Sequence, residues 1–403
     1  MNLAFPEIVL TVGLLLIVVG GLSGLAHGTV LSVSVLAVAA GMALNLLGVV
    51  EFGASDSTIF AVIELALVFT LFGDGLVVER ELLVGHIGPT ARALVFAMPA
   101  TMVLIAVAAK LLFDELAWAE ALLLGAVLAP TDPVITSAVV AAKALPAKLR
   151  HVLNLESGLN DGLALPFVLF FIAIAAHESG AGGEAATLFG EALVGALIGF
   201  ALATIAGRAI DDMPGIGLTP KYEGVYALGI GLAAFGLAEA TIGNGLIAAF
   251  VAGIALGVAD RDTPAAFHHF NESVGAVLQT ITFFLFGSLV VDAGVPTPAI
   301  AVAVLVGFTL FLARPLAIMA SLVGSDMPPL QRRFLAWFGP KGVASMLFAL
   351  FVLKSDVPGA DLIFQLSALV ILASIVAHGL TDTVGAHWME RQLKDDAEEG
   401  EET

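Results

Sequence analysis

The sequence predicts an all-α integral membrane protein of about thirteen transmembrane helices. Composition, the spacing of apolar blocks and the placement of basic residues carry that prediction. Of 403 residues, 59% are apolar and 13% charged, and the mean hydropathy is +1.02. A soluble globular domain is about 45–50% apolar and about 25% charged, so both departures point to lipid as solvent. Apolar blocks fill the chain from end to end, leaving no polar block of soluble-domain size. One membrane domain is therefore expected over residues 1–390, followed by an acidic tail, 391–403.

Splitting the chain at Gly, Pro and charged clusters places the spans near 6–26, 28–49, 58–78, 90–112, 118–142, 151–176, 186–208, 222–238, 242–259, 273–291, 297–323, 332–353 and 361–387. Basic residues test this map. Arg80, Arg92, Lys143, Lys148, Arg150, Arg208, Lys221, Arg261, Arg332, Arg333, Arg391 and Lys394 all follow odd-numbered spans. Loops after even-numbered spans carry Glu51, Asp56, Asp114, Glu115, Glu178, Glu184 and Asp292, with Lys354 and Lys110 as the basic exceptions. Positive loops stay cytoplasmic, so the C-terminus is expected inside and the N-terminus outside. Met1 to Pro6 lacks the basic segment of a signal peptide, and the first apolar run reads as a retained span. The formal net charge of −19 disfavours nucleic-acid binding. The like-charge run from Asp395 to Glu402 reads as a disordered, solvated end. With no cysteine, disulfides and thiolate metal sites are excluded.

Two spans carry interruptions. The fifth contains Ala129-Pro130-Thr131-Asp132-Pro133 and the twelfth Gly339-Pro340-Lys341-Gly342. A proline removes a helix donor and clashes with a carbonyl one turn back. A broken helix at membrane depth is tolerated only where it is buried or lines a polar cavity. The breaks lie an odd number of spans apart, so units related by that shift have opposite orientation. Gly/Pro-interrupted segments in corresponding positions of two halves point to a transporter's binding site. Proline kinks without function are the alternative.

An ionisable group at membrane depth costs roughly 3 kcal/mol on insertion scales, so each one needs a reason. The sixth span opens with Asn154-Leu155-Glu156-Ser157-Gly158-Leu159-Asn160-Asp161-Gly162. Glu156 and Asn160 share a helix face, and Asp161 lies near the midplane. Na⁺ is a hard cation that takes oxygen ligands. Asp161, Asp132, the Thr131 and Ser157 hydroxyls and the carbonyls freed at the break are the candidate donors. A desolvated carboxylate resists charge, so such a group holds H⁺ or a cation but not both. A carrier that crosses only when loaded then exchanges one for the other. The alternatives are a structural salt bridge at Asp161 and a helix cap at Asp132. Lys341 needs a partner, and Glu156 is the expected one; a Lys341 that titrates is the alternative. Arg314 reads as structural, Asp74 and Glu64 as accessory carboxylates, and His378 as a hydrogen-bonded core histidine or a pH sensor.

These motifs resemble the NhaP-like sodium/proton antiporters of cation:proton antiporter family 1. The resemblance rests on Thr131-Asp132-Pro133-Val134, on Glu156-Ser157 with Asn160-Asp161-Gly162, on Gly339-Pro340-Lys341-Gly342, and on Ser374 to Thr381. Weaker echoes are Leu71-Phe72 with Gly75-Leu76, and Phe250-Val251-Ala252-Gly253. It implies an inverted-repeat fold with two broken, crossing helices, and core and dimerisation subdomains in a homodimer. It implies Asp161 as the main carrier, with Asp132, Thr131, Ser157 and Asn160 at the site. It also implies that the Asn160-Asp161 pair exchanges one cation for one proton without net charge. Two departures stand out: Lys341 where the family usually has Arg, and Asp74 offset by one from the usual acid.

The expected function is alternating-access exchange of a monovalent cation, Na⁺ first and Li⁺ next, for H⁺ in the cell membrane. The substrates are the ions themselves, and no cofactor or enzymatic step is expected. A K⁺/H⁺ antiporter and a cation channel are the alternatives. An intramembrane aspartyl protease would need Tyr-Asp and Gly-x-Gly-Asp patterns, and neither occurs. A receptor or scaffold leaves the buried acids unexplained.

Overall fold

Without water to satisfy backbone groups, a chain this apolar closes its hydrogen bonds within helices. The computed structural model describes residues 5–26, 33–50, 57–76, 78, 88–132, 145–176, 181–212, 219–259 and 265–401, and among them there is helix but no strand. In order they are α1 (Phe5–Ala26), α2 (Val33–Leu46), α3 (Ser57–Leu76), α4 (Gly88–Leu112), α5 (Trp118–Leu128), α6 (Ala147–Ala176) and α7 (Ala181–Asp212). Then follow α8 (Pro220–Glu239), α9 (Gly245–Ala259), α10 (Ala265–Ala293), α11 (Ala299–Ser321), α12 (Pro329–Trp337), α13 (Val343–Lys354) and α14 (Ala360–Glu401). Seven described helices are long and apolar enough to cross a membrane. Five more, around α1, α2, α5, α9 and α13, are apolar but shorter.

The span map matches these elements closely. The thin break expected between the eighth and ninth spans is the turn at 240–244. The fifth span stops at Leu128, and its far half, 133–142, lies outside the described residues. The twelfth divides into α12 and α13 around an extended 338–342. One feature was not anticipated. α4 and α11 each contain a π turn, Ala93–Ala97 and Thr309–Ala313, two residues ahead of Pro99 and Pro315. A proline gives its helix no N–H, and a widened turn re-pairs the carbonyls this leaves over. The spans 4–5 and 11–12 thus repeat the same order, π turn and then break.

The expected disordered tail is corrected: α14 stays helical through Glu401. Its last turns carry Glu390, Gln392, Lys394, Ala397, Glu398 and Glu399, all strong helix formers. Glu390 accepts from Lys394 one turn on, at 2.9 Å, and that ammonium holds the exposed Glu390 carboxyl below its usual range.

The helices pack as two bundles. One holds α1–α3 and α7–α10, the other α4–α6 and α11–α14, with α3, α6, α10 and α13 meeting between them. Small residues let backbones approach closely, as membrane helices require. A Cβ at Gly75 would lie 2.5 Å from the Phe250 carbonyl oxygen, and one at Gly253 would lie 2.2 Å from that of Phe72. α3 and α9 are therefore locked together at backbone depth.

Candidate functional site

The two breaks cross and satisfy each other. Past Leu128 the chain has no helical partners for Ala129 to Asp132. The Asp132 N–H donates to the Pro340 carbonyl at 2.9 Å, joining break to break. The Asp132 carboxylate in turn accepts from the Val343 N–H at 2.9 Å. It thereby sits on the N-terminus of α13, where the helix dipole favours an anion. Gly342 leaves room for it, since a Cβ there would fall 2.1 Å from the Asp132 carboxylate.

Lys341 performs the opposite task. Its Nζ donates to the Ala129 and Pro130 carbonyls, each at 3.2 Å. These are the carbonyls that α5 leaves unpaired at its negative end, where a cation is favoured. Its backbone N–H donates to Ser374 Oγ at 2.8 Å, and only 1% of the residue is exposed. Each break thus supplies the charge that the other half-helix needs.

This geometry corrects the pairing expected for Glu156. Its partner is Arg314, whose Nη1 and Nη2 donate to Oε1 and Oε2 at 2.7 and 2.8 Å. The guanidinium fork matches both oxygens of a carboxylate at once, which a lysine ammonium cannot do. Arg314 follows the π turn of α11 directly and fills the space beside Gly339, where a Cβ would lie 1.9 Å from Nε. Residue order concealed the pair, because 158 positions separate its members. The preference of carboxylates for arginine forks was the signal available to find it.

On α6, Asn160 Nδ2 donates to Thr131 Oγ1 at 2.7 Å and to the Thr131 carbonyl at 3.2 Å. This brings Asp161, the next residue, beside the break. Ser157 lies one turn earlier and is also buried. Asp74, the offset carboxylate of α3, reaches the same place, with its side chain beside that of Asp161. Two carboxyl groups so placed can share a hydrogen bond when one of them carries a proton. Asp161 Oδ1, Asp74 Oδ2 and Asn160 Oδ1 are buried acceptors with no partner among the described residues. Buried acceptors of this kind are costly unless a ligand or proton fills them. No group of three or more Asp, Glu, His or Cys able to hold a metal ion occurs among the described residues. The donors expected for Na⁺ are instead two carboxylates with the Thr131 and Ser157 hydroxyls.

His378 is tied into the brace around the second break. Nε2 lies 3.0 Å from the Trp337 carbonyl and Nδ1 lies 3.2 Å from Ser374 Oγ, and the ring stacks on Trp337. Glu64, ten residues before Asp74 on α3, is half-buried and joins no hydrogen bond or ion pair among the described residues. It is not brought to the site.

Comparison with known proteins follows the same outline. A family profile described as "Sodium/hydrogen exchanger, transmembrane" matches residues 14–384. The chain is 24% identical over 340 residues to a K(+)/H(+) antiporter NhaP of Alkalimonas amylolytica, covering 83% of this chain and 58% of that protein. It is 26% identical over 347 residues to a K(+)/H(+) antiporter NhaP2 of Shewanella oneidensis, covering 84% and 59%. It therefore spans less than two thirds of these relatives' length. The fold matches that of the sodium proton antiporter MjNhaP1 from Methanocaldococcus jannaschii with a TM-score of 0.76, at 19% identity, over 96% of this chain and 99% of that one. With its residues 14–384 matched and its crossed breaks in that fold, the chain is a multi-pass membrane protein that belongs to the sodium/hydrogen exchanger family.

Proposed function

We propose that the protein exchanges a monovalent cation for H⁺ by alternating access, with Asp161 as the carrier. The observation that carries this reading is the Asp161–Asp74 carboxyl pair, which leaves buried oxygens without partners where the two bundles meet. A proton on the pair and a cation on the same oxygens exclude each other. Thr131, Ser157, Asn160 and Asp132 complete the site. Asp132 is the orienting member, because one of its oxygens already caps α13. Na⁺ is the first candidate, followed by Li⁺. K⁺ is the second reading, favoured by the two relatives named as K(+)/H(+) antiporters.

Exchange is electroneutral, one cation for one proton. The support is the neutral Asn160 beside Asp161, and the closed pairing of Glu156 with Arg314. The protein works as a homodimer in the cell membrane, with its N-terminus outside and its C-terminus in the cytoplasm. The basic loops after odd spans support that orientation. The exposed apolar row Phe189, Leu193, Leu197 and Phe200 on α7 supports a contact with lipid or a second copy. The family and fold are those of antiporters rather than enzymes.

The test is flux in proteoliposomes with each cation in turn. Asp161→Asn is expected to abolish cation-driven proton movement while the protein stays folded. Wild-type rates in that variant would remove Asp161 from the carrier role.

A further inference from the structure

The glycine that follows Asp161 on α6 is covered by an aromatic ring from the opposite bundle. Gly158 and Gly162 lie one turn apart on α6 and face the α3–α9 pair. A Cβ at Gly158 would meet the Asp74 carbonyl oxygen at 3.2 Å. A Cβ at Gly162 would fall 2.3–2.4 Å from Cε1, Cζ and Cε2 of Phe250. The tip of that ring thus occupies the space of any side chain at the position after Asp161. Phe250 is 6% exposed and Asp161 5%.

The backbone of Phe250 is not free to move away, because its carbonyl is packed against Gly75 of α3. Its ring has somewhere to go. One turn farther along α6, Pro166 lines a cavity of about 310 Å³, and so does Ile247, one turn from Phe250 on α9. Phe170, Leu188 and Ala192 continue its apolar walls, while Glu191 and Asn244 line one part of it, bonded to each other through the backbone. A phenyl ring withdrawn from Gly162 toward the Pro166 and Ile247 walls stays against apolar side chains, and the Asn244 side-chain oxygen there already accepts from the Ile247 N–H.

We propose that Phe250 is a gate on the Pro166 side of Asp161. The ring seals that side while it rests on Gly162, and the site opens there when the bundles shift and the ring withdraws. This rests on the exchange reading above, since a gate is needed only where a site faces one side at a time. Glycine at 162 is what lets the ring tip lie against the helix backbone next to the carrier.

The experiment uses the full chain in proteoliposomes, with cation-driven exchange and passive proton leak measured together. The methyl of Gly162→Ala meets the Phe250 ring and disfavours the sealed state that the cycle must pass through, so exchange is expected to slow about tenfold or more. Phe250→Ala in the same chain is expected to restore it to within about threefold of the Phe250→Ala single variant. Phe250→Ala alone is expected to pass protons without a cation gradient, which loss of packing by itself does not produce. Should Gly162→Ala fail to accumulate as folded protein, the leak in Phe250→Ala decides. A folded double variant as slow as Gly162→Ala, or a Phe250→Ala protein that exchanges normally without leak, overturns the gate. If the wild-type protein itself shows no exchange, it is the exchange reading that fails.

Discussion

The buried charges divide into two kinds. Both carboxylate oxygens of Glu156 are taken by the Arg314 fork, with Glu156 4% and Arg314 6% exposed. Breaking one side of such a pair is costly, because the survivor is a buried charge without a partner. Glu156→Met is therefore expected to lower stability by about 3–5 kcal/mol. Changing both, Glu156→Met with Arg314→Met, should cost distinctly less. Thermal unfolding in detergent reads both, and a double variant as unstable as the single would refute the closed pair. Asp161 and Asp74 differ in kind, since each leaves an oxygen unpartnered. Only such a group has a bond to offer a travelling ion. Asp161 was legible as a functional acid from its depth and its neighbours. Its link with Asp74 was not, because ten residues of α3 could be rotated either way until α3 was packed.

At the scale of elements, the crossing breaks behave as one device. α5 ends on carbonyls held by Lys341, and α13 begins on an N–H held by Asp132. Lys341→Met leaves two buried carbonyls without a donor, a loss of about 1–3 kcal/mol for an unmet buried group. Arginine at 341 retains donors for those carbonyls, so Lys341→Arg should recover stability and exchange that Lys341→Met loses. A Met variant with wild-type thermal stability would show that the carbonyls are satisfied some other way. Both breaks were predictable from Pro130 and Pro340, because proline acts locally. The π turns at Ala93–Ala97 and Thr309–Ala313 follow the same chemistry at Pro99 and Pro315. The end of α14 makes a milder prediction. Lys394 keeps Glu390 ionised below its usual range, so this support is present above the ordinary carboxylate pKa, about 4.3, and is lost as pH falls below it. Proteolysis near Arg391 in the intact protein should therefore be faster at about pH 3.5 than at pH 7, and the difference should vanish in Lys394→Ala.

At the scale of the whole molecule, two bundles meet along α3, α6, α10 and α13, and the carboxyl pair straddles that seam. Asp74 belongs to one bundle and Asp161 to the other. Motion between the bundles must then remake the site, which is how alternating access requires a binding site to behave. The proposed exchange of one proton per cation makes transport insensitive to an imposed membrane potential. Na⁺-driven flux in proteoliposomes with equal K⁺ on both sides, and with the potential set by a permeant anion gradient, checks this, and a rate that scales with voltage would exclude electroneutral exchange.

The sequence by itself determined that the chain is a helical membrane protein, where its spans lie, and that its fifth and twelfth spans break beside charged residues. These are local matters: apolar length decides a span, and proline decides a break. Only the tertiary structure decided which charge answers which. Along the chain Lys341 was the expected partner of Glu156, and the choice fell instead to the arginine fork once α6, α11 and α13 were brought together. Partner choice in a low-dielectric interior depends on distance and angle between groups far apart in sequence, and these exist only after the helices have packed.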